Sequence, residues 1–408
     1  MQSRFLQLHW LTSFPGALLN RDDAGFAKRM PFGGATRTRI SSQCLKRHWR
    51  TYEGEEAISR IELDGDRVPM AVRSRRSFER FVLEPLLKDH VNADVAQAVT
   101  ASLMEVLLGR SDKAAAKASD GEQAAATVRT GQVTVLGRPE LDYLLDVARG
   151  IAARVEEPKH AKKLVDELLN KGEGKKNLAA MRLAAGLDAA MFGRMVTSDI
   201  LARGDAAVHV AHAFTVHEEA TETDYFSAVD DLLASGDDAE LGSGHIGTTE
   251  LTSGLFYGYA VVDAPLLVSN ITGAGRADAE SFGRDLAAEV VRRLVHVVTK
   301  VSPGAKLGST APYSYAHLTI LEWGGSQPRT LANAFLQPVR WQGDVVRGAY
   351  QALARHMSEL DAMYGHPPAR AVAAIGPVEE LRPPLDGAMV GTLDAAADWA
   401  HERVLVWD

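Results

Sequence analysis

Residues 20–50 read NRDDAGFAKRMPFGGATRTRISSQCLKRHWR and concentrate side chains suited to gripping a polyanion. Arg21, Lys28, Arg29, Arg37, Arg39, Lys46, Arg47 and Arg50 stand against Asp22 and Asp23, a local +6 in a chain of net charge −8. Arginine forks suit bidentate phosphate contacts, and lysines supply mobile point charges. Ser41, Ser42 and Gln43 stand where a helix would begin, and a helix start offers backbone donors to an anion. A solvated face mixes its signs more evenly, so a nucleic-acid backbone is the expected ligand. The rival reading is a surface helix with ordinary salt bridges.

Other candidate chemistries are weaker. His209, His212 and His217 lack HExxH spacing and a nearby cysteine, so they read as structural, with His209 and His212 on opposite strand faces. NKGEGKKN resembles a phosphate-binding loop, but Leu169 stands where its first glycine belongs and no Ser/Thr follows its Gly-Lys. GAGRAD at residues 273–278 lacks the GxGxxG count for a dinucleotide. Neither a metal nor a cofactor is expected. Cys44 is the only cysteine, which excludes an internal disulfide and fits a reducing cytoplasm. Lys46 and Arg47 beside it could lower its pKa, but a lone cysteine in a basic helix reads as incidental and not as a nucleophile. Lys159, Lys162, Lys163, Lys171, Lys175 and Lys176 form a second basic patch, with a solvated helix face as the alternative.

These residues need elements to hold them. At 408 residues, 46% hydrophobic and 24% charged, the chain has ordinary globular composition and length for one large domain or a few smaller ones. No apolar run approaches the ~20 residues of a membrane span. The opening MQSRFLQLHWLTS alternates as a strand does and lacks the apolar run of a signal peptide. Pro15-Gly16 is expected to break that strand, and Ser41-Ser42 to cap a helix from about Gln43. Residues 75–110 and 138–190 read as helical, joined by the Ala- and Ser-rich SDKAAAKASDGEQAAATVRTG. From Phe282 an amphipathic helix follows, then the strand HLTILEW. Between Glu218 and Glu240 stand nine acids and no Lys or Arg. The pattern suits an α+β sheet with helices on one face, such as a ferredoxin-like core.

LNRDD, FGG, TRTRISSQCLKR, GRMVTSD, YFSAVDDL and GHIGTTELTSGLFY occur in that order, and over residues 1–340 the chain resembles the CasC family. That family supplies the backbone subunit of Cascade, the type I-E CRISPR surveillance complex. The resemblance implies an RRM-like palm (1–54 and 253–355), a helical fingers insert (55–190), a protruding thumb hairpin (191–252) and a C-terminal extension (356–408). Carried onto matching positions, it implies guide-RNA contacts at Asn20, Arg21, Lys28, Arg39, Gln43, Lys46 and Arg50, with Arg47 and Arg37 as further candidates. Met195 and Phe226, with Tyr225 beside it, match the wedge that splays a base out of the guide–target duplex. Lys162 and Lys163 match lysines that touch target DNA.

The expected function is a non-catalytic, cytoplasmic guide-RNA-binding subunit that polymerises head to tail along CRISPR RNA. Expected partners are CRISPR RNA, target DNA and further copies of itself in a helical filament. Other Cascade subunits join them: a 5′-end cap, a guide-processing endoribonuclease, a large PAM-reading subunit, small subunits and a recruited helicase-nuclease. No membrane partner is expected. Two alternatives stay open. One is a metal-dependent ribonuclease cutting target RNA through Asp22 or Asp23. The other is a protein-only scaffold, whose RNA affinity would show no salt slope. The acids of residues 218–240 are expected to face the basic surface of a neighbouring subunit.

Overall fold

A computed structural model describes residues 4–108, 128–170, 174–180, 183–194, 204–229, 243–276, 278, 283–382 and 384–406. Most of the Ala- and Ser-rich connection lies outside these residues. The chain forms two compact units, one from Ser59–His209 with Asp263–Ala287, the other from Gln2–Ile58, Val210–Val262 and Ala288–Asp408. The architecture is α+β, as expected.

The second unit is built on a mixed sheet. Its main strand path runs Met389–Val390, Ala369–Ala374, Ala316–Gly324, β1 (Phe5–Ala17), Ser243–Asp263, Ala213–Thr215, β3 (Ala35–Ile40) and β2 (Arg29–Phe32). β1 is central in the sheet, with a strand on either side, and is antiparallel to Ala316–Gly324 from Phe5↔Gly324 to Leu11↔Leu318; the unbroken burial of Leu6–Thr12 shows that both of its faces are covered. Pro15-Gly16 does not break it. The Gly16 N–H, at φ +47°, donates to Ser253 Oγ (2.9 Å), and the strand continues to Ala17.

Against this sheet packs a core containing Leu11, Phe214, Leu255, Tyr257, Ile320, Phe335, Tyr350, Leu353 and Met357. The amphipathic helix spans Asp285–Lys300 and buries Val290, Val291, Leu294, Val297 and Val298. The strand Ser243–Asp263 is 21 residues long. Its buried end lies within the sheet, and its start pairs with Ala220–Val229 as an antiparallel hairpin.

Residues after Met357, which carry no motif, join the same sheet. Ala369–Ala374 pairs antiparallel with Ala316–Gly324. From it Arg370 reaches the fully buried Glu322 (Nε to Oε1, 2.9 Å) and Asp361 (Nη1 to Oδ2, 2.6 Å). Burial alone would raise the Glu322 pKa, but His9, Arg329 and Arg370 around it hold its carboxyl far below the usual range.

The first unit is mainly helical. Helices Ala93–Leu108, Arg138–Ala152 and Ala161–Val165 enclose a core including Phe78, Val82, Leu86, Val99, Leu103, Leu144 and Ile151. A buried ion pair, Arg194 to Glu140 at 2.6 Å, lies within it. Glu79 is clamped by Arg129 and Arg76, whose hydrogen bonds lower its pKa from 4.5 to about 2. Among the described residues no helix is long and apolar enough to cross a membrane.

Candidate nucleic-acid interface

The interface begins with a short helix, α1 (Ser42–Thr51). Leu45 and Trp49, four residues apart, are its buried residues, and such burial is worth about 2 kcal/mol each. At 100° per residue, Gln43, Lys46, Arg47 and Arg50 fall together on the opposite side. Ser41 caps the helix, its Oγ accepting the Cys44 N–H at 3.3 Å. The basic residues therefore form one stripe because the apolar pair fixes which side of the helix turns inward.

The helix start is already served by this chain's own side chains. Asn20 Oδ1 accepts the Ser41 N–H (2.9 Å), and His212 Nδ1 accepts the Ser42 N–H (3.2 Å). Arg39 Nη1 also donates to His212 Nδ1, at 3.4 Å. Burial, then the cations Arg39 and Lys28, lower the His212 pKa, which keeps the ring neutral and Nδ1 an acceptor. Sequence reasoning placed His212 among structural histidines and missed that it joins α1 to Arg39. Its backbone and ring partners lie about 170 residues away, and no local signal marks it. Asn20 and Ser41 thus shape the helix start, while Ser42, Gln43, Lys46, Arg47 and Arg50 follow along it.

The preceding loop brings Lys28 and Arg39 together, since the Arg39 N–H donates to the Lys28 carbonyl and the Lys28 N–H to that of Asn20. An open depression is lined by Asp22, Asp23, Ala27, Lys28, Arg29 and Arg39. Arg21, exposed, pairs with Ala27 across the loop. Asp22 caps that turn, its Oδ1 accepting the N–H groups of Ala24 and Phe26, both at 3.0 Å. Among the described residues no three His, Cys, Asp or Glu side chains gather as metal ligands would.

Two arginines of the basic run point elsewhere. Arg37 is fully buried and donates to the carbonyls of Phe32, Thr215 and Phe335, so it holds the fold and is not a phosphate contact. Arg29 is paired with Glu219 and Glu250. Gly33 of the FGG turn, at φ +62°, lies so close to Leu336 that a Cβ would stand 1.7 Å from its carbonyl oxygen. Cys44 is partly buried, and that burial raises its pKa; the lowering by Arg47 and Lys28 is the smaller effect.

Tyr225 and Phe226 lie on the hairpin strand Ala220–Val229, 63% and 40% exposed, opposite Thr248 and Gly247. Gly247 leaves room for the Phe226 ring, because a Cβ there would come 2.5 Å from Cζ. Lys306 Nζ stands 5.6 Å from the ring centroid and donates to Thr249 Oγ1. Lys306 was not singled out in the sequence. Met195 lies outside the described residues, as do the acids from Asp230 to Glu240. Of the acids that remain, Glu222 and Asp224 are exposed on the hairpin, and Glu219 serves Arg29 within the same chain. In the first unit, Lys162 and Lys163 are exposed on the helix Ala161–Val165, and Lys162 pairs with Glu105 at 3.0 Å.

A model of the CT1975-like protein family matches residues 6–399, nearly the whole chain. This chain belongs to that family. The CT1975-like chain also superposes on a chain of a solved structure described as a CRISPR RNA-guided surveillance complex, pre-nicking. There the TM-score is 0.74 at 25% identity, over 97% of this chain and 100% of the other. A chain of a second structure, described as a CRISPR RNA-guided surveillance complex, gives a TM-score of 0.66 at 22% identity. It covers 98% of this CT1975-like chain and 99% of its counterpart, and the likeness is one of fold. No curated protein matches the chain in sequence.

Proposed function

We propose that this CT1975-like chain is a Cascade-type subunit that binds guide RNA in a CRISPR RNA-guided surveillance complex. The observation that carries this reading is the stripe Gln43, Lys46, Arg47 and Arg50, linked through His212 to Arg39 and beside Lys28. The end-to-end likeness to a chain of such a complex supports it. In this reading the stripe and loop hold the RNA backbone, and sequence is read by base pairing between guide and target.

The finer assignment is a type I-E backbone subunit, repeated head to tail along the guide in the cytoplasm. The hairpin of Tyr225 and Phe226 interrupts the guide–target duplex, and Lys162 and Lys163 meet target DNA. The chain is non-catalytic in this reading. Asp22 caps the basic loop through two backbone N–H groups, which gives it a structural use.

The test is to co-express the chain with a CRISPR transcript and the remaining complex subunits, purify the particle, and size its nucleic acid. RNA of discrete length in a large particle is expected. A chain that stays out of the particle, or a particle without RNA, refutes the proposal.

A further inference from the structure

One arginine ties the basic loop to the hairpin. Arg29, on β2, donates from Nε to Glu219 and from Nη2 to Glu250, the latter at 2.5 Å. Glu250 Oε1 also accepts the Ala27 N–H at 3.0 Å, and the Glu219 N–H donates to the Thr36 carbonyl at 2.9 Å. Arg39 closes the group by donating from Nε to the Arg29 carbonyl (3.2 Å). Glu219 directly precedes the strand Ala220–Val229, and Glu250 lies opposite Thr223 on its partner strand. Both strands at the hairpin's base are therefore attached to the basic segment that carries Lys28 and, on β3, Arg39. The Glu250 side chain is only 12% exposed, so this ion pair is better shielded from solvent than an open surface pair.

We propose that Arg29, with Glu219 and Glu250, is a positioning strap. It fixes the hairpin bearing Tyr225 and Phe226 relative to the loop that grips RNA, and so sets the spacing at which bound guide is interrupted. The inference rests on the guide-binding function proposed above. Two carboxylates on one guanidinium oppose a phosphate at that place, because a third anion would meet their repulsion. Two extended strands joined to a sheet can swing as a pair, and a charged cross-tie on both removes that freedom. The tie joins backbone grip and interruption within one copy, so every copy would carry the same offset between them.

The experiment uses the assembled particle and chemical probing of its guide bases. Arg29→Gln and, separately, Glu250→Gln are expected to load guide in the parental amount and length. Both are expected to lose the periodic contrast in base reactivity, and the double variant to lose no more than either alone. The same defect from removing the cation or its anion is the signature of a strap. Unchanged periodic contrast in both variants overturns the proposal. So does loss of guide with Arg29→Gln alongside a gain with Glu250→Gln, which would make Arg29 a phosphate contact. A loss of contrast that only tracks a loss of circular dichroism overturns it too, in favour of a plain folding role. Phe226→Ala separates the two levels. If it leaves the period intact, the hairpin is not the interrupter and the functional reading of the hairpin fails. If it abolishes the period while the strap variants keep it, only the strap fails.

Discussion

Replacing Lys46, Arg47 and Arg50 together by alanine tests the interface most directly. Alanine keeps the helix, and Leu45 and Trp49 still anchor it, so folding should hold. Removing the like charges at Lys46 and Arg50, four residues apart, relieves a repulsion of a few tenths of a kcal/mol. Each phosphate contact on a single strand contributes about −0.7 to the slope of log affinity against log salt. Three lost contacts should therefore flatten the slope by about 2. From about 50 to about 200 mM salt, the affinity gap between parent and variant should shrink about twentyfold. The assay is fluorescence anisotropy of labelled single-stranded RNA across that salt range, with circular dichroism melts of both proteins. An unchanged slope with an unchanged melt refutes the assignment of α1 to the RNA backbone. Absence of any slope in the parent would favour a protein-only scaffold.

Gly33→Ala should destabilise the fold by about 2 kcal/mol or more, because its Cβ would overlap the Leu336 carbonyl and only backbone movement can relieve it. Gly34→Ala, at φ +78° with open space around it, should cost only about 1 kcal/mol; equal effects in chemical denaturation would contradict this account. Glu79 has a folded pKa of about 2 against an ordinary 4.5, so its contribution is full above about pH 4.5 and is lost as pH falls towards 2. That contribution is on the order of 3 kcal/mol. Glu79→Gln should remove this acid-dependent part of the stability of the helical unit, and an unaltered pH profile of unfolding would count against the clamp.

Local chemistry was legible in the sequence, and distant partnerships were not. The cap at Ser41 and the basic residues along the helix after it follow from spacing within ten residues. Asp22 capping its own turn is equally local. Arg37 and Arg39 are two apart on β3, so alternation gives them the same side, yet one is buried and the other reaches His212. What separates them is the carbonyls of Thr215 and Phe335, 178 and 298 residues away. His212 and the Arg29 carboxylates are hidden for the same reason. Pro15-Gly16 misleads because a turn signal carries no information about Ser253, whose hydroxyl meets the Gly16 N–H. The sheet strand Ala369–Ala374 lies where no motif stands, and its partners, the strand Ala316–Gly324 and the Glu322 carboxylate that receives Arg370, are about 50 residues away in sequence.

The division of labour within the basic run also limits what the interface can do. Of its eight cations, Arg37 is turned into the core and Arg29 is held by two carboxylates. Arg21, Lys28, Arg39, Lys46, Arg47 and Arg50 remain as candidates for phosphate. Six contacts on a single strand bound the magnitude of the salt slope from this region at about 4. A chain of net charge −8 gains little from diffuse attraction, so the slope should report these discrete contacts. A steeper slope would require cations outside the run, and Lys306, 5.6 Å from the centroid of the Phe226 ring, is a candidate. A slope near 2 in the parent would instead confine the grip to about three phosphates. With the α1 stripe already accounting for three cations, such a value would leave the loop to shape the RNA path, not to bind it.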